Sequence, residues 1–223
     1  MRRAAPRAEF DEIPLPEGLQ NLEKEVELCG DIMFVNGLPF LTSVARRLQL
    51  RTVQHMAKRR KGFLISGIKA ITSYYDSHNF HVSRMFFDCE FEPLKADSQA
   101  LGGLEIFTTG QNDHVPEAER NNRTIKERVR SLLAKLPFNK YPACMIIEAV
   151  SFSVLWLNAF PSKNGISATV SPRHIVDGTV LDYNTHCKIP FGSYVQTSEQ
   201  PEPTNTMVVR TSGAICLGPT GNP

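Results

Sequence analysis

The dipeptide Asn36-Gly37, set between the apolar runs "DIMFV" and "LPFLTSVA", constrains the fold more than any other feature of the chain. Both residues tolerate the positive φ that a two-residue hairpin turn demands, so the flanking runs are predicted to pair as antiparallel strands. The next stretch, "LQLRTVQHM", alternates apolar and polar residues and predicts a third antiparallel strand. A helix fits Gly62 to Tyr75, with Phe63, Ile65, Ile68, Ile71 and Tyr75 near one face, and "FHVSRMFF" and "LEIFTTG" follow as fourth and fifth strands. From about Val115 to Leu136 the period turns helical, with Ala118, Ile125, Val129, Leu132 and Leu136 on one stripe, and a second helix is predicted from about Pro142 to Asn158. This order predicts an α/β fold: a mixed five-stranded sheet flanked by helices.

The ends differ in character from the middle. Residues 1–28 are rich in Pro and Glu and read as a poorly packed leader, so the core is expected over 29–178, starting near Cys29. Residues 179–223 hold two strand candidates, "KIPFGSYVQT" and "GAICLG", around a Pro-rich stretch, too few for a stable domain of their own. The short segment "SPRHIVDG" before them reads as a capped helix.

Composition narrows the function classes. Of 223 residues 41% are hydrophobic and 22% charged, as in soluble globular chains, and the longest apolar segment, Ala143 to Phe160, is interrupted by Glu148 and Asn158 and predicts a buried helix rather than a membrane span. Five cysteines without a Cys-x-x-Cys pair, and six histidines without paired spacing, argue against a disulfide framework and a zinc module. No secretory signal is legible, so a reducing intracellular home, nuclear or cytoplasmic, is expected. The net charge of only +2 hides an asymmetry, because residues 46–61 carry seven Arg/Lys, including Lys58, Arg59, Arg60 and Lys61, and no acid. Such a run points to an anionic partner.

The chemistry-bearing residues are carboxylates. Asp31 is expected at the start of the first strand, Asp88 at the end of the fourth within "MFFDCEFE", and Glu117 and Glu119 in the first turn of the helix after the fifth. Each alone reads as a turn former or a helix-dipole partner. If the first and fourth strands are neighbours, Asp31, Asp88 and one glutamate meet, and close carboxylates repel unless a cation joins them. Oxygen-only ligands suit Mg²⁺ or Mn²⁺, and two such ions about 4 Å apart can activate an attacking oxygen and stabilise a leaving one. At about 100° per residue, Glu119, Arg123, Lys126 and Arg130 fall on one flank of the helix, whereas Glu117 falls opposite with Asn121, Arg128 and Lys135. Glu119 is therefore preferred as the third acid, with cations beside it for phosphates, and Glu117 stays as the alternate.

The stretches "DIMFVNGLPF", "MFFDCEFE", "HVPEAERNNRTIKER" and "WLNAFPSKNGISATVSPRHIV" resemble the integrase catalytic core of copia-type (LTR) retrotransposon polyproteins, within the retroviral-integrase-like superfamily. The resemblance implies an RNase H-like fold followed by a truncated, SH3-like β segment. It also implies a two-ion Mg²⁺ or Mn²⁺ site on Asp31, Asp88 and Glu119, and DNA 3′-end processing and strand transfer. By position, Arg123 takes the place of the basic residue that contacts DNA one turn after the glutamate. Element ends and target DNA would be the partners, in a homo-oligomer, with no membrane and no zinc in this fragment. The pattern departs at Cys89-Glu90, where many relatives place a tighter turn after the second aspartate. A non-catalytic nucleic-acid-binding remnant of the same fold is the alternative expectation.

Overall fold

Asn36 and Gly37 both take left-handed backbone, with φ of 47° and 80°, and so close the predicted two-residue turn. The computed structural model describes residues 11–12, 14–20, 22, 24–110, 114–198 and 207–219. On either side of the turn run β1 (Glu25–Val35) and β2 (Leu38–Ala45), antiparallel and paired from Val35↔Leu38 back to Leu28↔Ala45. β3 (Arg51–His55) pairs antiparallel with β2. α1 (Lys61–Ser77) then crosses over to β4 (His81–Phe87), which lies parallel to β1, and β5 (Glu105–Thr108) lies parallel to β4. The sheet order is β3-β2-β1-β4-β5. That is the expected mixed five-stranded α/β arrangement, with the connection from β4 to β5 made by a 3₁₀ helix over Cys89–Leu101.

Helices bury both faces of the sheet, which is why its central strands are apolar almost throughout. On one face Ile68, Ile71 and Tyr75 of α1 pack with Leu28, Leu41, Met85 and Phe87. On the other, Ile125 and Val129 of α2 (Pro116–Leu133) and Ala149, Val150 and Val154 of α3 (Ala143–Ala159) pack with Met33 and Phe40. The short α4 (Pro172–Asp177) is capped by Ser171, whose hydroxyl accepts from the His174 backbone N–H at 3.2 Å. Among the described residues no helix is long and apolar enough to cross a membrane.

The expected elements recur with three shifts. β1 begins at Glu25 rather than near Cys29, and Leu15, Leu19 and Leu22 pack against the first core cluster. The buried face of α1 is carried by Leu64, Gly67, Ile68, Ile71 and Tyr75, while Phe63 is 41% exposed. Gly67 is required there because Leu41 leans on the helix, and a Cβ at that position would lie 2.8 Å from Leu41 Cδ2. At the C-terminal end, β6 (Tyr194–Ser198) and β7 (Thr211–Ile215) form a separate two-stranded sheet, tied to the core through buried Phe191. The Pro-rich stretch between them, 199–206, lies outside the described residues.

Candidate functional site

β1 outruns β4, and that difference in length makes the site. The parallel register ends with Cys29↔Phe86, and two residues further on, Asp31 on β1 and Asp88 beyond β4 come alongside at the point where the sheet opens. Asp31 therefore lies within a strand, not at its start, and faces Thr42 of β2 across the antiparallel register. Asp88 has left the sheet as the residue preceding the 3₁₀ helix, with extended backbone. Gly30 permits this junction: a Cβ there would collide with the buried ring of Phe87, 2.9 Å from Cδ1 and closer still to Cε1.

A buried polar network holds Asp31. Its Oδ1 accepts from the Ile32 backbone N–H at 2.6 Å and its Oδ2 from Asn122 Nδ2 at 2.7 Å. The carbonyl of Asn122 in turn accepts the Thr42 hydroxyl at 2.6 Å, so the amide orientation is fixed from both ends. Thr42 is fully buried and Asn122 nearly so. Burial pushes the Asp31 carboxyl above its ordinary value; the Ile32 N–H opposes this, the Asp88 charge adds to it, and Asn122 opposes it.

Asp88 is held from the other side. Its Oδ1 accepts from the Val115 backbone N–H at 3.2 Å, at the N-terminus of α2, and its Oδ2 lies 2.7 Å from His114 Nδ1. The same nitrogen is 4.0 Å from Glu119 Oε1. The contact with Asp88 and then its charge raise the His114 imidazole above its ordinary value, and Glu119 and Asp31 add to the shift. His114 thus stands between the second aspartate and the preferred glutamate.

Glu119 and Glu117 part company as helical geometry requires. Asp31, Glu119 and Asn122 share one open cleft of about 300 Å³ with Arg123, Lys126 and Arg130. Arg123 also pairs with Glu127 at 3.2 Å, one turn along. Glu117 points elsewhere, 3.4 Å from Arg46 Nε, and that guanidinium also lies 3.5 Å from Glu27 and over the Phe86 ring at 3.9 Å. The basic run is partly neutralised by the 3₁₀ helix: Arg59 pairs with Glu90, and Lys61 lies 2.6 Å from Asp97. Lys58 and Arg60 stay exposed.

Among the described residues no group of three or more His, Cys, Asp or Glu side chains is set to hold a metal ion. Of the expected carboxylates, Asp31 is bonded to Asn122 and Asp88 to His114. In kind, the donors fit Mg²⁺ or Mn²⁺: all three are carboxylates, and two of them lie by the same His114 nitrogen. Asn122, Thr42 and His114 were not legible as site residues. Only the position of Asn122 one turn after Glu119 hinted that it shares the cleft.

No family model matches the chain, and no curated protein does. Among solved structures it is similar to the catalytic core domain of BIV integrase in crystal form I, at 16% identity and a TM-score of 0.48, over 67% of this chain and 92% of that one.

Proposed function

We propose that this chain is an integrase-like polynucleotidyl transferase core that processes DNA 3′ ends and joins them to target DNA, from a copia-type element. The observation that carries the proposal is the cleft in which Asp31 and Glu119 face Arg123, Lys126 and Arg130, with Asp88 beside Asp31 at the sheet opening. Carboxylates next to unburied cations make a poor structural core and a good phosphodiester site. Asp31, Asp88 and Glu119 would hold the divalent ions, which when bound supply charge neutralisation and an activated oxygen nucleophile.

The protein's own groups have separate tasks. Asn122 fixes the rotamer of Asp31, and Thr42 fixes that of Asn122. Lys126 and Arg130, with Arg123, take backbone phosphates, which positions a strand without reading its sequence. His114 Nδ1, 2.7 Å from Asp88 Oδ2, would donate to that carboxylate and hold it at the sheet opening. Lys58 and Arg60 extend the basic surface, whereas Arg59 and Lys61 are drawn toward acids.

A second reading has one observation in its favour. His114 already occupies Asp88, and a chain that never exchanges it for a metal would bind nucleic acid without cutting it. Replacing Asp88 with Asn separates the two. The proposal expects Mg²⁺- or Mn²⁺-dependent strand transfer by the unaltered protein, lost in Asp88→Asn while DNA binding persists. DNA binding with steep salt dependence but no cleavage or joining in either ion would favour the binding module.

A further inference from the structure

A second cationic surface lies on the opposite flank of α2 from the carboxylate cleft. Arg128 and Lys135, with Phe152 and Trp156 of α3, Phe160 beyond it and Arg51 of β3, line a groove of about 510 Å³. At about 100° per residue, Arg128 and Lys135 lie across the buried stripe from Arg123, Lys126 and Arg130, so the two surfaces are separate. No carboxylate lines the groove among the described residues.

Its cations are placed in two ways. Arg128 and Lys135 are exposed and make no ion pair among the described residues. Arg51 is anchored: its backbone N–H donates to Asn158 Oδ1 at 2.9 Å and its carbonyl accepts from Asn158 Nδ2 at 2.8 Å, which ties β3 to the end of α3. One guanidinium nitrogen donates to the Gln49 carbonyl at 3.2 Å, but the buried Nε has no hydrogen-bond partner. A buried donor without an acceptor is costly, and the same side chain lines the groove. Burial also presses the Arg51 pKa below its ordinary value.

Between these cations the aromatic rings form a ladder. Phe152 and Trp156 have centroids 6.0 Å apart, Trp156 and Phe160 6.1 Å, and Phe160 is 62% exposed. Phe191 backs Phe152 at 5.2 Å and stiffens that end. An exposed Phe160 and a half-buried Trp156, set among Arg51, Arg128 and Lys135 with no acid in the lining, are complementary to phosphates that carry planar bases. Base faces are available for stacking in single strands but not in a duplex.

We propose that the groove between α2 and α3 binds single-stranded nucleic acid, with bases stacked on Trp156 and Phe160 and phosphates held by Arg51, Arg128 and Lys135. The site goes beyond the carboxylate cleft and does not depend on it, so a protein that never cuts or joins DNA still binds there.

Trp156 is the single tryptophan of the chain and reports on the groove directly. Oligothymidylate and oligouridylate are each titrated into the full chain while Trp156 fluorescence is followed, and affinities of labelled oligomers are read by anisotropy as salt is varied. Saturable quenching is expected with at least one of the two, and the tighter arm identifies DNA or RNA as the ligand. Phe160→Ala should weaken binding about tenfold through lost stacking. Arg128→Glu with Lys135→Glu should weaken it at least as much and reduce the salt slope by about 1.4. Because these three side chains are exposed, the substitutions leave the core intact. Absence of quenching with both oligomers would overturn the proposal, as would quenching that ignores the charge reversals. Protection of Trp156 that grows with protein concentration alone would overturn it too, by assigning the groove to a second copy of the chain.

Discussion

Asn122 on α2 donates its side-chain amide to Asp31 on β1 at 2.7 Å, and this bond sets the direction of the carboxylate at the opening of the sheet. The pair is part-buried, with Thr42 bonded behind it at 2.6 Å. Asn122→Ala removes the side-chain donor to Asp31 and leaves the Thr42 hydroxyl only the Asp31 backbone carbonyl, at 3.1 Å. It is expected to cost about 1–3 kcal/mol, read as a lower urea midpoint at unchanged m-value, and to reduce strand transfer more than DNA binding. Unaltered stability would mean that water replaces the amide and that the network does not position Asp31.

Asp88 and His114 make a pH-dependent contact. The imidazole pKa is raised above its ordinary 6.5, first by the bond to Asp88. A raised histidine pKa means that the contact stabilises the fold in full below about 6.5 and ceases to do so as pH rises through the folded value. In an NMR titration of the His114 ring protons, Asp88→Asn should return the midpoint toward 6.5. Saturating Mg²⁺ should also lower it in the unaltered protein, because a cation among the carboxylates opposes an imidazolium beside it. A midpoint indifferent to both would place His114 away from Asp88 in solution.

Gly30 transmits packing to the site. A methyl group there meets the Phe87 ring, which is fully buried and stacked on Phe91 at a centroid distance of 4.0 Å. Gly30→Ala is expected to destabilise by about 1–3 kcal/mol in chemical denaturation and to displace the neighbouring Asp88. A stability equal to that of the unaltered protein would show that Phe87 can move aside.

The thiols sort by environment. Cys29 is completely buried, and burial pushes its thiol up despite the Arg46 Nε–H that points at its sulfur from 3.2 Å. Cys89 and Cys144 are exposed. Peptide mapping after brief alkylation at neutral pH should find Cys89 and Cys144 modified, and Cys29 only after denaturant is added.

How far the sequence led can be judged residue by residue. The turn at Asn36-Gly37 and the succession of strands along the chain were legible because turn chemistry and periodicity are local, whereas the parallel pairing of β1 with β4 was only a condition, since a crossover leaves no local mark. The face of α1 was right at Ile68, Ile71 and Tyr75 and missed in the first turns, where Leu64 and Gly67 are buried and Phe63 is not, because Leu41 reaches Gly67 from another strand. Asp31 was expected at a strand start because residues 1–28 read as a Pro- and Glu-rich leader, yet Val26 and Leu28 are buried in the sheet. The separation of Glu119 from Glu117 followed from helical geometry. Asn122 and Thr42 did not stand out, because a lone amide on a charged helix and a hydroxyl in an apolar strand acquire meaning only when they face each other. The basic run at Lys58 to Lys61 looked freer than it is, since Glu90 and Asp97 reach it from a 3₁₀ helix that nothing local announced.

The most direct test of the carboxylate site compares the two glutamates of the α2 first turn. Divalent-ion-dependent joining of a DNA 3′ end to a second duplex is measured for the unaltered protein, Glu119→Gln and Glu117→Gln. The structure places Glu119 in the cleft with Asp31 and Glu117 on Arg46. Glu119→Gln should therefore lose joining by about a hundredfold or more, whereas Glu117→Gln should retain most of it. Retention in Glu119→Gln, or loss confined to Glu117→Gln, would contradict the account.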